Sequence, residues 1–148
     1  MRGSERKSGP EQESGRIVAL DLGEVRTGVA ISDPGATLAR PLEVVQSGQI
    51  EKYLRGLFSE EGVAEVVVGV PKTLGGEIGF QARRTLEKIE ILKTRFPEVR
   101  FIEKDERFTT KLAVAETRRK KKGKSRQRVD HLAAARMLQE HLDARGEL

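Results

Sequence analysis

Three carboxylates stand at places in the sequence where a strand ends or a helix begins. Asp21 lies near the end of the apolar run IVALDLG, Glu106 follows a predicted strand in the stretch KDER, and Asp130 opens the last predicted helix. An ionised carboxylate in apolar surroundings costs several kcal/mol unless another charge offsets it. Such strand and helix ends face the ligand crevice of open α/β sheets. If the three acids converge there, Mg²⁺ or Mn²⁺ would relieve their repulsion, because hard cations prefer oxygen ligands.

Carboxylates that hold such cations indicate hydrolysis of phosphodiester bonds. Two ions roughly 3.5–4 Å apart can activate a water and stabilise the leaving oxygen. Histidine and cysteine are not needed for this chemistry. The chain has no cysteine, and His131 and His141 show no ligand spacing, so both are interpreted as ordinary helix residues.

Each acid also has a purely structural interpretation. Asp21 could start the turn before Gly23, and Glu106 could be a surface residue in a charged loop. Asp130 could be a first-turn acid that the helix dipole favours. The residue types alone therefore leave a metal site, a turn and a phosphate-binding loop open.

A strongly basic run directly precedes Asp130. Residues 118–128 contain eight Lys and Arg side chains, which form either a solvated, mobile loop or a clamp on phosphates. Each phosphate contact releases counterions and makes binding salt-dependent. Because aromatic residues make up 4% and Trp is absent, we predict no base-stacking platform and expect recognition of backbone and shape. The side chains predicted to bind substrate are Lys121, Lys122, Lys124, Arg126 and Arg128.

A glycine-rich segment, PKTLGGE, follows the apolar run 63–70. Its glycine pair could let the backbone approach a phosphate. It lacks the spacing of a Walker A loop. Lys72 is a candidate contact to substrate phosphate, and a plain turn is the alternative.

Composition limits the class of protein. The chain has 148 residues, which predicts one domain, and no apolar run approaches the roughly 20 residues of a membrane span. The first residues lack the apolar region of a secretory signal, so we expect a cytoplasmic protein with no membrane partner. The net charge of +5 favours an anionic partner.

Hydrophobic periodicity predicts an α/β domain with a mixed sheet. A β-hairpin and a third antiparallel strand come first, followed by parallel strands and flanking helices. We predict the domain over 16–142, with a disordered tail at 1–15 and a C-terminal tail at 143–148. The predicted strands are 16–22, 28–32, 42–45, 63–70 and 99–103, the last of them central, and the predicted helices are 49–60, 80–95, 109–119 and 129–142.

Four stretches, in this order, resemble the YqgF/RuvX family. They are "ALDLGEVRTGVAISD", "VVVGVPKTLGGEIGFQA", "DERFTT" and "KKKGKSRQRVDHLAAA", and the resemblance spans about 16–142. It implies an RNase H-like fold and a nuclease that processes the 5′ end of pre-16S rRNA. The same family is also described as a Holliday-junction resolvase-like group.

The resemblance implies a role for each acid. Asp21, Glu106 and Asp130 would be the catalytic acids and the ligands of Mg²⁺ or Mn²⁺. Arg107 would order these acids or contact phosphate. Glu103 or Asp105 could supply the fourth acid that RNase H-like nucleases often carry.

The leading expectation is a metal-dependent endonuclease that acts on structured RNA, as a monomer or a weak homodimer. A Holliday-junction resolvase would apply the same chemistry to branched DNA. A catalytically silent rRNA-binding assembly factor would need only the basic run. A nucleotide-binding fold of the actin/hexokinase type also has an Asp-x-Gly loop before a hairpin, but this chain is too short for its two domains.

Overall fold

The computed structural model describes residues 15–71, 79–106 and 124–146, and for 124–131 it describes the backbone only. The predictions for the tail before residue 15 and for the helix 109–119 lie outside these residues. The elements are β1 (Arg16–Leu22), β2 (Arg26–Ser32), β3 (Ala39–Gln46), α1 (Ile50–Glu60), β4 (Val63–Val70), α2 (Phe80–Arg95), β5 (Arg100–Asp105) and α3 (Lys124–Gly146), with a 3₁₀ turn at Ser47–Gln49.

One mixed sheet joins the five strands in the order β3-β2-β1-β4-β5. The first three strands form an antiparallel meander, and β4 and β5 add in parallel beside β1. The predicted α/β class with a mixed sheet is therefore confirmed. The predicted central position of the strand near 99–103 is wrong, because β5 is an edge of the sheet in the described part of the chain. Its alternation of buried Phe101 with exposed neighbours fits a strand that is covered on one face.

Both faces of β1 are buried, which explains its nearly continuous apolar sequence. Val18 and Leu20 point to the face that α1 and α2 cover, whereas Ile17 and Ala19 point to the face that α3 covers. Burial of each large aliphatic side chain contributes about 1.5–3 kcal/mol. Asp21 is thus carried by a strand that is buried on both faces.

Helix α3 begins at Lys124, five residues before the predicted start, and continues to Gly146. The basic residues at 124–128 are therefore helical and not part of a loop. Lys, Arg and Gln are good helix formers, and no Gly or Pro interrupts the chain before Gly146. Within the three described ranges, none of the helices combines the length and apolar character that a membrane crossing requires.

Candidate nucleic-acid cleavage site at the carboxyl ends of β1 and β4

Asp21 is the penultimate residue of β1 and is partly buried. Its register partner on β2 is Gly28, so no side chain on that strand stands beside the carboxylate. Because side chains alternate along a strand, Asp21 shares the face of Ile17 and Ala19. That is the face on which α3 packs.

A tight turn follows Asp21 and is held by Ser47. The Gly23 N–H donates to the Arg26 carbonyl at 3.0 Å, and a β-carbon on Gly23 would lie 2.4 Å from that oxygen, so only glycine fits. The Ser47 hydroxyl donates to the Gly23 carbonyl at 2.7 Å and lies 2.9 Å from the buried Thr27 hydroxyl. The Ser47 N–H donates to Val25 at 2.8 Å. Sequence patterns carried no signal for this clamp.

Glu106 is the most buried acid in the described part of the chain, with 4% of its surface exposed. It directly follows β5, and its N–H donates to the Val70 carbonyl at 3.2 Å. Its side chain lies over Gly69, where a β-carbon would be 2.7 Å from Cγ and Cδ. Its Oε2 atom accepts no hydrogen bond from the described residues, while the side chain as a whole does interact with its surroundings. The interpretation of Glu106 as an exposed loop residue is therefore wrong.

Asp21 and Glu106 lie on the same face of the sheet, Asp21 beside Gly69 and Glu106 over it. Leu20 of β1 pairs with Val68 of β4, and the next residues along the two strands are Asp21 and Gly69. The side chain of Glu106 occupies the space above Gly69 on the α3 face. A glycine inside a buried strand often marks such a close approach, and this was the signal in the sequence.

The candidates for a fourth acid lie elsewhere. Glu103 and Asp105 are exposed and follow Phe101 at every second residue of β5, so the three side chains share one face of the strand. Phe101 packs on the α1 and α2 face, which is the face opposite to Asp21. Lys104 shares the α3 face, and its Nζ lies 3.9 Å from a Glu140 carboxylate oxygen.

The path of α3 brings Asp130 towards the same edge of the sheet. On one side of the helix, Gln139 Oε1 accepts from the Ala39 N–H at 2.9 Å; on the other, His141 Nε2 lies 2.9 Å from Glu65 Oε2. Both contacts are at the end of the sheet where β4 begins. Asp130 precedes His141 by eleven residues, or about 16 Å of helix. Glu65 to Gly69 spans about 13 Å of strand, so a helix axis aligned with the strands would bring the Asp130 backbone level with the carboxyl ends of β1 and β4.

The other predicted site residues fall into two groups. The structure describes only the helical backbone of Lys124, Arg126 and Arg128, in the first turns of α3. Lys72, Arg107, Lys121 and Lys122 lie outside the described residues.

The carboxylates suit a hard cation, and the structure describes the side chains of two of the three expected ligands. Asp21 and Glu106 offer carboxylate oxygens, the ligands that Mg²⁺ and Mn²⁺ prefer. Among the residues whose side chains the structure describes, no group of three His, Asp or Glu is close enough to hold a metal ion. The expected third acid, Asp130, has no described side chain, so its part in the set stays a prediction.

An aromatic side chain stands at this edge of the sheet, which composition did not predict. Phe80, the first residue of α2, is 72% exposed, and the guanidinium of Arg84 lies 5.5 Å from its ring centroid. Arg84 also forms a 3.0 Å ion pair with Glu24 in the turn after β1. This pair ties the start of α2 to the segment that carries Asp21.

Comparison with known proteins identifies the family. Residues 15–144 match the RuvX family model, described as Holliday junction resolvase. A Rubrobacter xylanophilus protein named "Putative pre-16S rRNA nuclease" is 59% identical over 132 residues, which cover 89% of this chain and 95% of the relative. A protein of the same name from Acetivibrio thermocellus is 36% identical over 140 residues, covering 90% and 99%.

Among solved structures, Thermus thermophilus RuvC in complex with a Holliday junction substrate has a TM-score of 0.54 to this chain. The identity is 18%, over 88% of this chain and 94% of the other, so the likeness concerns the fold alone. It confirms the RNase H-like fold that the sequence motifs implied. By its family match and its relatives, this chain belongs to the RuvX family.

Proposed function

We propose that this protein is a metal-dependent endonuclease whose substrate is structured RNA, namely the 5′ end of pre-16S rRNA. The observation that carries the proposal is the buried Glu106 carboxylate, which lies over Gly69 beside the Asp21 position on one face of the sheet. A buried acid at the edge where ligands bind in α/β sheets supports a catalytic role more than a structural one.

A different part of the fold positions each acid. Asp21 is positioned by a strand buried on both faces, and Glu106 is positioned by its backbone bond to β4 and by the surface of Gly69. Asp130 would approach from the first turns of α3, so three separate elements would meet at the scissile phosphate. Such rigid support keeps reacting groups within the narrow geometry that phosphoryl chemistry requires.

A bound Mg²⁺ or Mn²⁺ would supply charge neutralisation at the phosphate and activation of the attacking water. Asp21, Glu106 and Asp130 are the residues that would hold it. Burial of Glu106 excludes water from part of the site, which strengthens electrostatic interactions there.

The substrate class rests on the relatives and on charge. The two relatives above are named for pre-16S rRNA. The net charge of +5 and the basic residues of early α3 favour a polyanion. The protein is further proposed to be cytoplasmic and to be a monomer or a weak homodimer.

The test is cleavage of a pre-16S 5′-leader RNA, with and without Mg²⁺ or Mn²⁺, by the parent and by Asp21→Asn, Glu106→Gln and Asp130→Asn. We expect each variant to lose about 100-fold or more in rate. Asp143→Asn and Glu87→Gln, at exposed positions on α3 and α2, are matched controls and should cut like the parent. If Asp21→Asn cuts as fast as the parent, the assignment fails.

A second readout avoids dependence on activity. Binding of Mn²⁺ to the parent and the three variants can be measured by calorimetry without RNA. We expect the parent to bind and the variants to bind at least about tenfold more weakly. Equal binding by all four proteins would remove these acids from the metal site.

Branched DNA is a second candidate substrate, because the matching family is described as Holliday junction resolvase. The same assay with a four-way DNA junction separates the two. Cutting of the junction but not of the leader RNA would make the protein a resolvase, and symmetric nicking would then require a dimer.

A further inference from the structure

We propose that Phe80 and Arg84, at the start of α2, bind an unpaired base of the nucleic-acid substrate next to the carboxylate site. The inference rests on the proposed function only in taking the substrate to be a nucleic acid. It adds a requirement that backbone recognition alone does not impose, namely an unpaired nucleotide close to the cleaved bond.

Exposure of one aromatic side chain is common and would not by itself indicate a ligand. Here the ring is 72% exposed and carries a guanidinium 5.5 Å from its centroid. Phenylalanine rings and arginine planes are both among the surfaces on which proteins stack unpaired bases. An unpaired base that binds to this pair would therefore contact an apolar ring and a cation together.

The pair stands at the same edge of the sheet as the acids, at the start of a helix that covers the other face. Helix α2 follows β4, so Phe80 stands at the carboxyl edge of the sheet. The 3.0 Å ion pair between Arg84 and Glu24 fixes that helix to the turn that begins two residues after Asp21. Val25, the next residue in the turn, is 64% exposed, so two of the large exposed apolar side chains lie at this one edge.

The surrounding charge favours a nucleic acid as the occupant over an apolar protein surface. Arg83 and Arg84 are both exposed, and the first turn of α2 contains no acidic residue. Glu24 is the acid that the structure pairs with Arg84. A phosphate chain passing this edge would meet Arg83 and Arg84, whereas the exposed apolar area that the described residues offer there is that of two side chains and is smaller than the patches that mark protein interfaces.

The absence of tryptophan from the sequence permits a direct test. Phe80→Trp introduces a single fluorophore at the proposed platform, and Ile91→Trp places one at a 53% exposed position of the same helix as a matched control. Both are titrated, in EDTA to prevent cleavage, with a hairpin RNA that has an unpaired loop, with a fully paired RNA duplex and with inorganic polyphosphate.

We expect the loop RNA to quench the emission of Trp at position 80, because a stacked base quenches indole, and to leave the control unchanged. The duplex and polyphosphate should quench neither protein. Equal quenching by loop and duplex, or no quenching by any ligand, overturns the proposal. A change in emission with protein concentration alone would assign the surface to a second copy and would also overturn it.

Affinity measurements on the parent and on variants without the tryptophan complete the test. Phe80→Ala should bind the loop RNA about tenfold more weakly than the parent, with a smaller effect on the duplex. Phe80→Tyr should retain the parent affinity. If loop RNA quenches Trp at position 80 but the parent cuts no RNA with any metal, the proposed function fails and this inference stands. If the parent cuts RNA but loop RNA does not quench Trp at position 80, the proposed function stands and this inference fails.

Discussion

A β-carbon on Gly69 would lie 2.7 Å from Cγ and Cδ of Glu106 and 2.8 Å from its Oε1. Atoms do not approach this closely, so the glycine determines where the carboxylate can rest. Glu106 is 4% exposed and follows β5, whereas Gly69 belongs to β4. The position of one acid is therefore set by the absence of a side chain on the neighbouring strand.

We predict that Gly69→Ala displaces the Glu106 carboxylate. The free energy of unfolding should fall by about 1–3 kcal/mol from overpacking, and RNA cleavage should fall more steeply than this loss of stability explains. Urea denaturation and initial rates on leader RNA measure the two effects. Gly56→Ala is the control, because nothing lies within 4 Å of its added β-carbon.

Shortening the acid should relieve the clash. Glu106→Asp removes one methylene, so in the Gly69→Ala background it should restore part of the lost stability, although alone it is destabilising. The double-mutant cycle should show a favourable coupling of about 0.5–3 kcal/mol. Additive effects would show that the two positions do not meet as described.

Ser47→Ala tests the clamp on the turn after Asp21. The substitution removes the 2.7 Å hydrogen bond to the Gly23 carbonyl and the 2.9 Å contact with Thr27. We expect a loss of about 1–3 kcal/mol in unfolding free energy, because a buried polar group loses its partner. Ser59→Ala, which removes an exposed bond to the Gly56 carbonyl within α1, should change stability much less.

Asp33 predicts a pH dependence of stability. Hydrogen bonds from the Leu38 and Thr37 backbone and from the Thr37 hydroxyl lower the pKa of Asp33 from 3.8 to about 2. A carboxyl whose folded-state pKa is lowered stabilises the fold above its ordinary value, and this contribution is lost as pH falls towards 2. The stability difference between parent and Asp33→Asn should therefore shrink over that window in urea titrations.

The pair of His141 and Glu65 should anchor the C-terminal half of α3. The two side chains are 19% and 14% exposed, and their atoms are 2.9 Å apart. His141→Ala should lower the unfolding free energy by about 1–3 kcal/mol because it leaves a partly buried acid without this partner. In a cycle with Glu65→Gln, the two losses should be less than additive; full additivity would mean that the contact contributes nothing.

The basic residues that open α3 should act through phosphates. Replacing Lys124, Arg126 and Arg128 by Gln keeps helix propensity and should reduce the slope of log affinity against log salt by about 0.7–0.9 for each lost phosphate contact. Binding of leader RNA at several salt concentrations measures the slope. Lys52→Gln, at an exposed position on α1, should leave it unchanged.

The sequence by itself determined where most of the helices and strands lie along the chain. The apolar runs of β1 and β4 and the periodicity of α1 and α2 predicted those elements correctly, because residue periodicity follows from the local backbone geometry. Placement of Asp21 and Glu106 at strand ends followed from the same patterns. The family motifs added the fold and the activity, which spacing alone left open.

Only the tertiary structure decided which residues meet. The edge position of β5, the early start of α3 and the contact of Gly69 with Glu106 depend on strands and helices far apart in the chain. The ion pair of Arg84 with Glu24, likewise, joins the start of α2 to the turn after β1. A one-dimensional pattern states which face of a strand is apolar, but the packing of neighbouring elements determines what covers that face and which acids share it.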